Sequence, residues 1–204
     1  MIPLKVPVIP VVRTSTRDAA ATAVELLRAE GFETFEITLT TPDAINLIAE
    51  LSQDDALTVG AGTVLEEKQA TAAIEAGAQF VVSPVLTAGV GSLCTQSGTA
   101  WFPGAASPTE IHTAHLAGAT GVKIFPAAQL GGPGFLRAVR SVLPNVTLMP
   151  TGGIGPDDIR EYLDAGAFAV GLGGKLVDEQ AIISGNHDAV SAVARQILEL
   201  AASA

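Results

Sequence analysis

The chain has little with which to build covalent, metal or aromatic chemistry. Among its 204 residues there is one cysteine, one tryptophan and one tyrosine. The single cysteine, Cys94, excludes an intramolecular disulfide and points to a reducing, cytoplasmic setting. No apolar run is long enough to cross a bilayer, and no early stretch reads as a signal peptide, so no membrane partner is expected. Eleven Lys and Arg stand against 21 Asp and Glu, a formal net charge of −10 with no basic cluster, which argues against nucleic acid. No HExxH motif and no Walker loop occur. The run Gly171-Leu172-Gly173-Gly174 lacks both the spacing and the later acid of a dinucleotide fingerprint. His112 and His115, with Glu110 nearby, resemble a metal spacing, but residues on a helix surface show it far more often. No metal and no cofactor are expected.

What the chain does have is short apolar runs rich in Ala, Val, Leu, Ile and Gly, alternating with helical patterns. Strands are predicted at 6–12, 34–39, 57–62, 80–83, 100–102, 122–125, 147–150 and 167–171, and helices at 16–30, 43–52, 65–76, 87–97, 108–117, 133–143, 156–165 and 187–201. Eight strand–helix units fit βα repeats. Gly31, Gly77, Gly118 and Gly166 follow helical patterns as left-handed caps. Ser107-Pro108-Thr109-Glu110 and Gly155-Pro156-Asp157-Asp158 read as helix starts. No linker divides residues 1–204, so a single α/β domain is predicted. An open doubly wound sheet would want a glycine fingerprint after its first strand, where Arg13-Thr14-Ser15-Thr16 stands instead. The glycines gather after strands seven and eight, where (β/α)8 TIM barrels bind phosphate. A single closed (β/α)8 barrel is the predicted fold.

Lys123 interrupts the apolar run Gly121 to Ala127. Lysine is rarely buried without a reason. Burial disfavours an ammonium, and a neutral lysine forms Schiff bases with carbonyls. Strand alternation directs Val122 and Ile124 to the helices and Lys123 and Phe125 into the barrel. On strand two it directs Phe35, Ile37 and Leu39 outward and Glu36, Thr38 and Thr40 inward. A carboxylate and an amine then face each other near the carboxyl ends of the strands. One reading is a buried structural salt bridge; the other is a nucleophile with a general acid/base. Arg13, Thr63 and Thr151 end strands on the same rim. Gly152, Gly153, Gly173 and Gly174 offer backbone N–H groups to an anion there, although tight turns would use glycine equally well. Lys175 is expected near the start of any short helix after strand eight, where a cation fits the helix dipole only with an anion between.

The segments Phe35-Glu36-Ile37-Thr38-Leu39-Thr40, Val59-Gly60-Ala61-Gly62-Thr63-Val64, Val82-Ser83-Pro84, Phe102-Pro103-Gly104, Val122-Lys123-Ile124-Phe125-Pro126-Ala127 and Pro150-Thr151-Gly152-Gly153-Ile154, in that order, resemble the class I 2-keto-3-deoxy-6-phosphogluconate (KDPG) and 4-hydroxy-2-oxoglutarate (KHG) aldolases. The resemblance covers nearly the whole chain. It implies a metal-independent, cofactor-free lyase of carbohydrate metabolism, in the Entner–Doudoroff pathway, built as a homotrimer of (β/α)8 barrels. The substrate would be a phosphorylated keto acid. Lys123 would form the imine at its C2 ketone, and Glu36 would shuttle protons. Thr63 and Thr151 would lie by the pyruvyl and aldehyde ends, and Gly152, Gly153 and Gly173 in the phosphate loops. The chain departs from the pattern at Thr40, where many members carry arginine for the substrate carboxylate, leaving Arg13 as the cation for that role. It departs again at Gly174, where members often have serine, followed here by Lys175. The segment before strand one is short, so the helix that often plugs the barrel in this family is expected to be short or absent.

Two other readings stay open on the residues alone. In a phosphosugar isomerase or epimerase on a phosphate-binding barrel, Glu36 would be the base and Lys123 an electrostatic partner. In a non-catalytic assembly scaffold, the pair would be a structural salt bridge.

Overall fold

Gly31, Gly77, Gly118 and Gly166 stand one or two residues beyond helix ends with φ of 113°, 94°, 86° and 89°, the left-handed turn that sends the chain from a helix into the next strand. In the computed structural model, which describes residues 2–202, these turns punctuate a repeating order: β1 (Val8–Val12), α1 (Arg17–Glu30), β2 (Thr34–Thr38), α2 (Ala44–Leu51), β3 (Thr58–Gly62), α3 (Glu67–Glu75), β4 (Phe80–Val82), α4 (Ala88–Ser97), β5 (Ala100–Phe102), β6 (Gly104–Ala105), α5 (Pro108–Leu116), β7 (Val122–Ile124), α6 (Gly132–Val142), β8 (Leu148–Pro150), α7 (Ile159–Asp164), β9 (Val170–Leu172), α8 (Glu179–Ile183) and α9 (His187–Ala202). The predicted helix starts are realised. Ser107 accepts from the Glu110 N–H at 3.3 Å while the Glu110 carboxylate accepts from the Ser107 N–H at 2.9 Å, a reciprocal capping box. Donors to that carboxylate, led by the Ala106 N–H and joined by the Ser107 hydroxyl and N–H, hold the Glu110 carboxyl below its ordinary value. Gly155 to Asp158 opens with a 3-10 turn at Pro156–Asp158 that runs directly into α7.

Every strand pairing is parallel. The ladders form a curled six-stranded sheet, β5-β4-β3-β2-β1-β9, and a three-stranded sheet, β6-β7-β8. The predicted fifth strand is β5, and after Pro103, which has no N–H to give to a ladder, the chain pairs again as the short, unpredicted β6. Between β8 and β9 one isolated bridge joins Thr151 to Gly171. α8, outside the eight predicted helices, is a five-residue helix after β9, capped by Asp178.

Alternation along the strands sorts side chains into two apolar clusters. Val81, Ile124 and Leu148 join the larger cluster with helix residues such as Leu27, Leu47, Ile111, Leu136 and Ile197. Their strand neighbours Phe80, Val82 and Met149 join a separate inner cluster with Ile9, Phe102, Ala169 and Ile2. Phe80 and Phe102 meet edge to face, centroids 6.2 Å apart, a geometry worth about 0.5–1.5 kcal/mol beyond burial. Residues 2–7 contain no helix. Ile2, 6% exposed, packs into the inner cluster from the N-terminal side of the strands. The concave face is thus filled with apolar side chains below, leaving its upper part to polar ones.

Candidate active site

Phe35 and Ile37 lie in the outer cluster, so the pleat of β2 turns Glu36 and Thr38 to the inner face. Val122 and Ile124 do the same for Lys123 on β7. Glu36 is fully buried and Lys123 only 4% exposed. Lys123 Nζ lies 3.5 Å from Glu36 Oε1. Neither Glu36 oxygen has a hydrogen-bond partner. A buried carboxylate normally collects several donors. This one has the lysine alone, at the long edge of hydrogen-bond reach, which leaves its lone pairs free for a reacting group. The Thr151 hydroxyl is also buried without a partner.

Above the pair, Arg13, Thr151, Gly152, Gly153, Gly173 and Gly174 line one cavity of about 370 Å³, together with Val11, Phe125, Ile154, Gly171 and Lys175. Phe125 links the two levels, because Lys123 Nζ sits 5.6 Å from its ring centroid. Thr63 stands beside the cavity: the Arg13 guanidinium donates to its hydroxyl at 3.3 Å. Thr63 has φ 59°, a left-handed conformation that is a real outlier for a β-branched residue. Arg13, Thr151 and the four glycines therefore share one cavity wall, while Glu36 and Lys123 stand outside that wall and connect to it through Phe125. A larger cavity of about 480 Å³ lies on the other side of Phe125, lined by Pro84, Val85, Thr109 and Glu110 among others. It has no Lys or Arg in its wall, so an anion is better served by the smaller one.

The glycines of the rim separate into two kinds. Gly152 and Gly153 have φ of 99° and 74°, so their turn needs glycine whatever it binds. Gly173 and Gly174 have no such φ, and a Cβ on either would meet nothing within 4 Å. Neither backbone nor packing asks for glycine there, and the space above is open to a ligand approaching the backbone. Lys175 is not at a helix start. It lies in a turn closed by the Leu176 and Val177 N–H groups donating to the Gly173 carbonyl at 2.8 and 2.9 Å, and α8 begins at Glu179.

Thr40 is occupied in a hydroxyl chain, with Thr38 Oγ1 3.0 Å from Thr40 Oγ1 and 3.4 Å from Thr41 Oγ1. Among the described residues, no three His, Cys, Asp or Glu side chains are placed to hold a metal ion. Cys94 faces the core, where burial pushes its thiol up to about 11.

Residues 2–193 match the family model described as KDPG and KHG aldolase. The chain belongs to the KDPG and KHG aldolase family. It is 37% identical over 197 residues to the 2-dehydro-3-deoxy-phosphogluconate aldolase of Treponema pallidum (strain Nichols), covering 96% of this chain and 94% of that protein. It is 36% identical over 176 residues to the 2-dehydro-3-deoxy-6-phosphogalactonate aldolase of Escherichia coli (strain K12), covering 84% of this chain and 85% of the other. A solved structure of KDPG aldolase from Legionella pneumophila, with pyruvate captured at low pH as a covalent carbinolamine intermediate, superposes with a TM-score of 0.85 at 34% identity, covering 95% of this chain and 94% of that one. Two features of the site escaped sequence reasoning. The ring of Phe125 forms a shared wall between the cavities, and bare glycines on β3 receive side chains from both neighbouring strands. Alternation already turned Phe125 inward, but only strand register could reveal the glycines' neighbours.

Proposed function

We propose that this chain is a Schiff-base aldolase that cleaves a 2-keto-3-deoxy acid, foremost 2-keto-3-deoxy-6-phosphogluconate, to pyruvate and glyceraldehyde 3-phosphate. The same site would cleave 4-hydroxy-2-oxoglutarate to pyruvate and glyoxylate. The observation that carries this reading is the buried Lys123–Glu36 pair, 3.5 Å apart with both carboxylate oxygens otherwise unpartnered, beneath a cavity lined by Arg13, Lys175 and open glycines. A structural salt bridge would be expected to satisfy its carboxylate more fully. The family match and its aldolase relatives favour the lyase over an epimerase or a scaffold.

The amine of Lys123 adds to the C2 ketone, and the carbinolamine loses water to give a protonated imine. Glu36 serves the proton transfers, through water, that this exchange requires. Glu36 then takes the proton of the C4 hydroxyl. The C3–C4 bond breaks, its electron pair flows to the iminium, and the aldehyde leaves. The enamine that remains accepts a proton at C3, and water releases pyruvate and regenerates the lysine. Arg13, positioned by Thr63, anchors the substrate carboxylate. Thr63 and Thr151 contact the pyruvyl and aldehyde ends. Gly152, Gly153, Gly173 and Gly174, with Lys175 beside them, take the phosphate. No step calls on a metal or cofactor.

The closed (β/α)8 barrel belongs to the same proposal. The break at Pro103 is one residue long, and the Thr151–Gly171 bridge spans the other seam. A single domain over 1–204, a cytoplasmic location and a homotrimer complete it. No helix among the described residues is long and apolar enough to cross a membrane.

Incubation with pyruvate, reduction with borohydride and mass spectrometry of the peptides tests the reading. An adduct on Lys123, with activity retained after chelator treatment, is expected. An unmodified Lys123 would overturn it.

A further inference from the structure

The inner face of β3 carries no side chain at two successive inward positions, Gly60 and Gly62, and neither is glycine for the sake of its backbone. Both lie in ordinary ladder register, Gly60 opposite Glu36 and Gly62 opposite Thr38, and neither has a left-handed φ. What they share is a neighbour in the place of a Cβ. At Gly60 that neighbour is the ring of Phe80 from β4. At Gly62 it is the carboxylate arm of Glu36 from β2: a Cβ would lie 2.6 Å from Glu36 Cγ and 2.7 Å from Cδ, and would overlap Oε1. Glu36 leans along its strand, past its register partner and over Gly62, as inner-face side chains on strands do. The oxygen that would be struck is the one 3.5 Å from Lys123 Nζ.

We infer that Gly62 is a positioning residue: its missing side chain is the space that lets the Glu36 carboxylate reach Lys123. The inference rests on the aldolase reading and adds to it a residue that touches no substrate. A methyl at this position leaves the lysine in place and moves the carboxylate. Steps that need only the amine therefore survive at equilibrium, while steps that move a proton slow down.

Gly62→Ala separates the two. Pyruvate trapped by borohydride on Lys123 after long incubation should remain close to the unmodified protein's level. Exchange of the pyruvate methyl protons with deuterated water, followed by NMR, should fall by roughly a hundredfold or more, the share general acid–base catalysis commonly supplies. The fall should appear in kcat rather than KM. A second measurement holds even if the alanine variant folds poorly. Removing the carboxylate arm should relieve the overlap, so Gly62→Ala combined with Glu36→Ala should melt higher than Gly62→Ala alone. Wild-type exchange rates in Gly62→Ala, or a double variant that melts no higher than the single one, would overturn the inference while leaving the aldolase reading intact. Failure of the unmodified protein to form any adduct on Lys123 would overturn the aldolase reading itself.

Discussion

The lower and upper parts of the inner face are built by the same device and filled with opposite chemistry. On β3, Gly60 receives the Phe80 ring and Gly62 receives the Glu36 carboxylate. Below, Phe80 meets Phe102 edge to face within an apolar cluster that also holds Val82, Met149 and Ile9. Above, Glu36 finds a single lysine, and it and Thr151 keep hydrogen-bonding capacity unused. An unpartnered buried polar group costs about 1–3 kcal/mol, so a protein under selection for stability alone would fill the upper half as it fills the lower. The contrast teaches that the lower half is the foundation and the upper half is held ready for a ligand.

The sharpest way to break this comparison is Lys123→Arg. It preserves the positive charge opposite Glu36 but cannot form an imine, because guanidinium remains protonated. Turnover is expected to fall below detection and the pyruvate adduct to vanish. Measurable cleavage would return the pair to a structural salt bridge and erase the distinction between the halves.

Phe80→Ala tests the other half. It empties the space over Gly60 and is expected to destabilise by about 3–5 kcal/mol, read by denaturant unfolding. The kcat at temperatures where the variant is folded should change far less than in Lys123→Arg. A variant of unchanged stability but lost activity would mean that the lower cluster also takes part in the chemistry.

A double replacement makes the upper half resemble the lower. Lys123→Met with Glu36→Leu keeps side-chain volume close and removes both buried charges. Exchanging a buried ion pair for packed apolar groups is often neutral, or stabilising by about 1–4 kcal/mol. The variant should be inactive and melt at or above the unmodified protein's temperature. A large loss of stability would show that the pair holds the fold together.

Much of this division is legible in the order of residues along the chain. The period-2 patterns of 34–39 and 122–125 place Glu36 and Lys123 on one face because an outward charge would have to sit among helix residues such as Leu47 and Ile111. Gly31 and Gly166 mark helix ends because few other residues accept that φ. What could not be read depends on neighbours distant in sequence. The short strand after Pro103 exists only through its pairing with β7, as β5 before it pairs with β4. The short helix at Glu179–Ile183 is too brief to leave a periodic signal. The tasks of Gly60 and Gly62 follow from side chains on two other strands, and periodicity along one strand contains no information about those.

Backbone strain follows the same division and gives the smallest test. Among the described residues, Asp43 and Thr63 are the non-glycine residues with positive φ, and both lie in loops that follow inner-face strands at the upper end. Holding a β-branched residue at φ 59° costs of order 1–3 kcal/mol. In return the Thr63 hydroxyl meets the Arg13 guanidinium at 3.3 Å. Thr63→Gly removes the strain and that contact together, and the glycine's freer unfolded chain offsets part of the gain. A net stabilisation of about 1 kcal/mol or less is expected, together with a severalfold rise in KM for the keto-acid substrate, because Arg13 loses its tether while Lys123 and Glu36 keep their places. If Thr63→Gly lowered kcat and left KM alone, Thr63 would belong with the reacting pair rather than with the rim that holds the substrate above it.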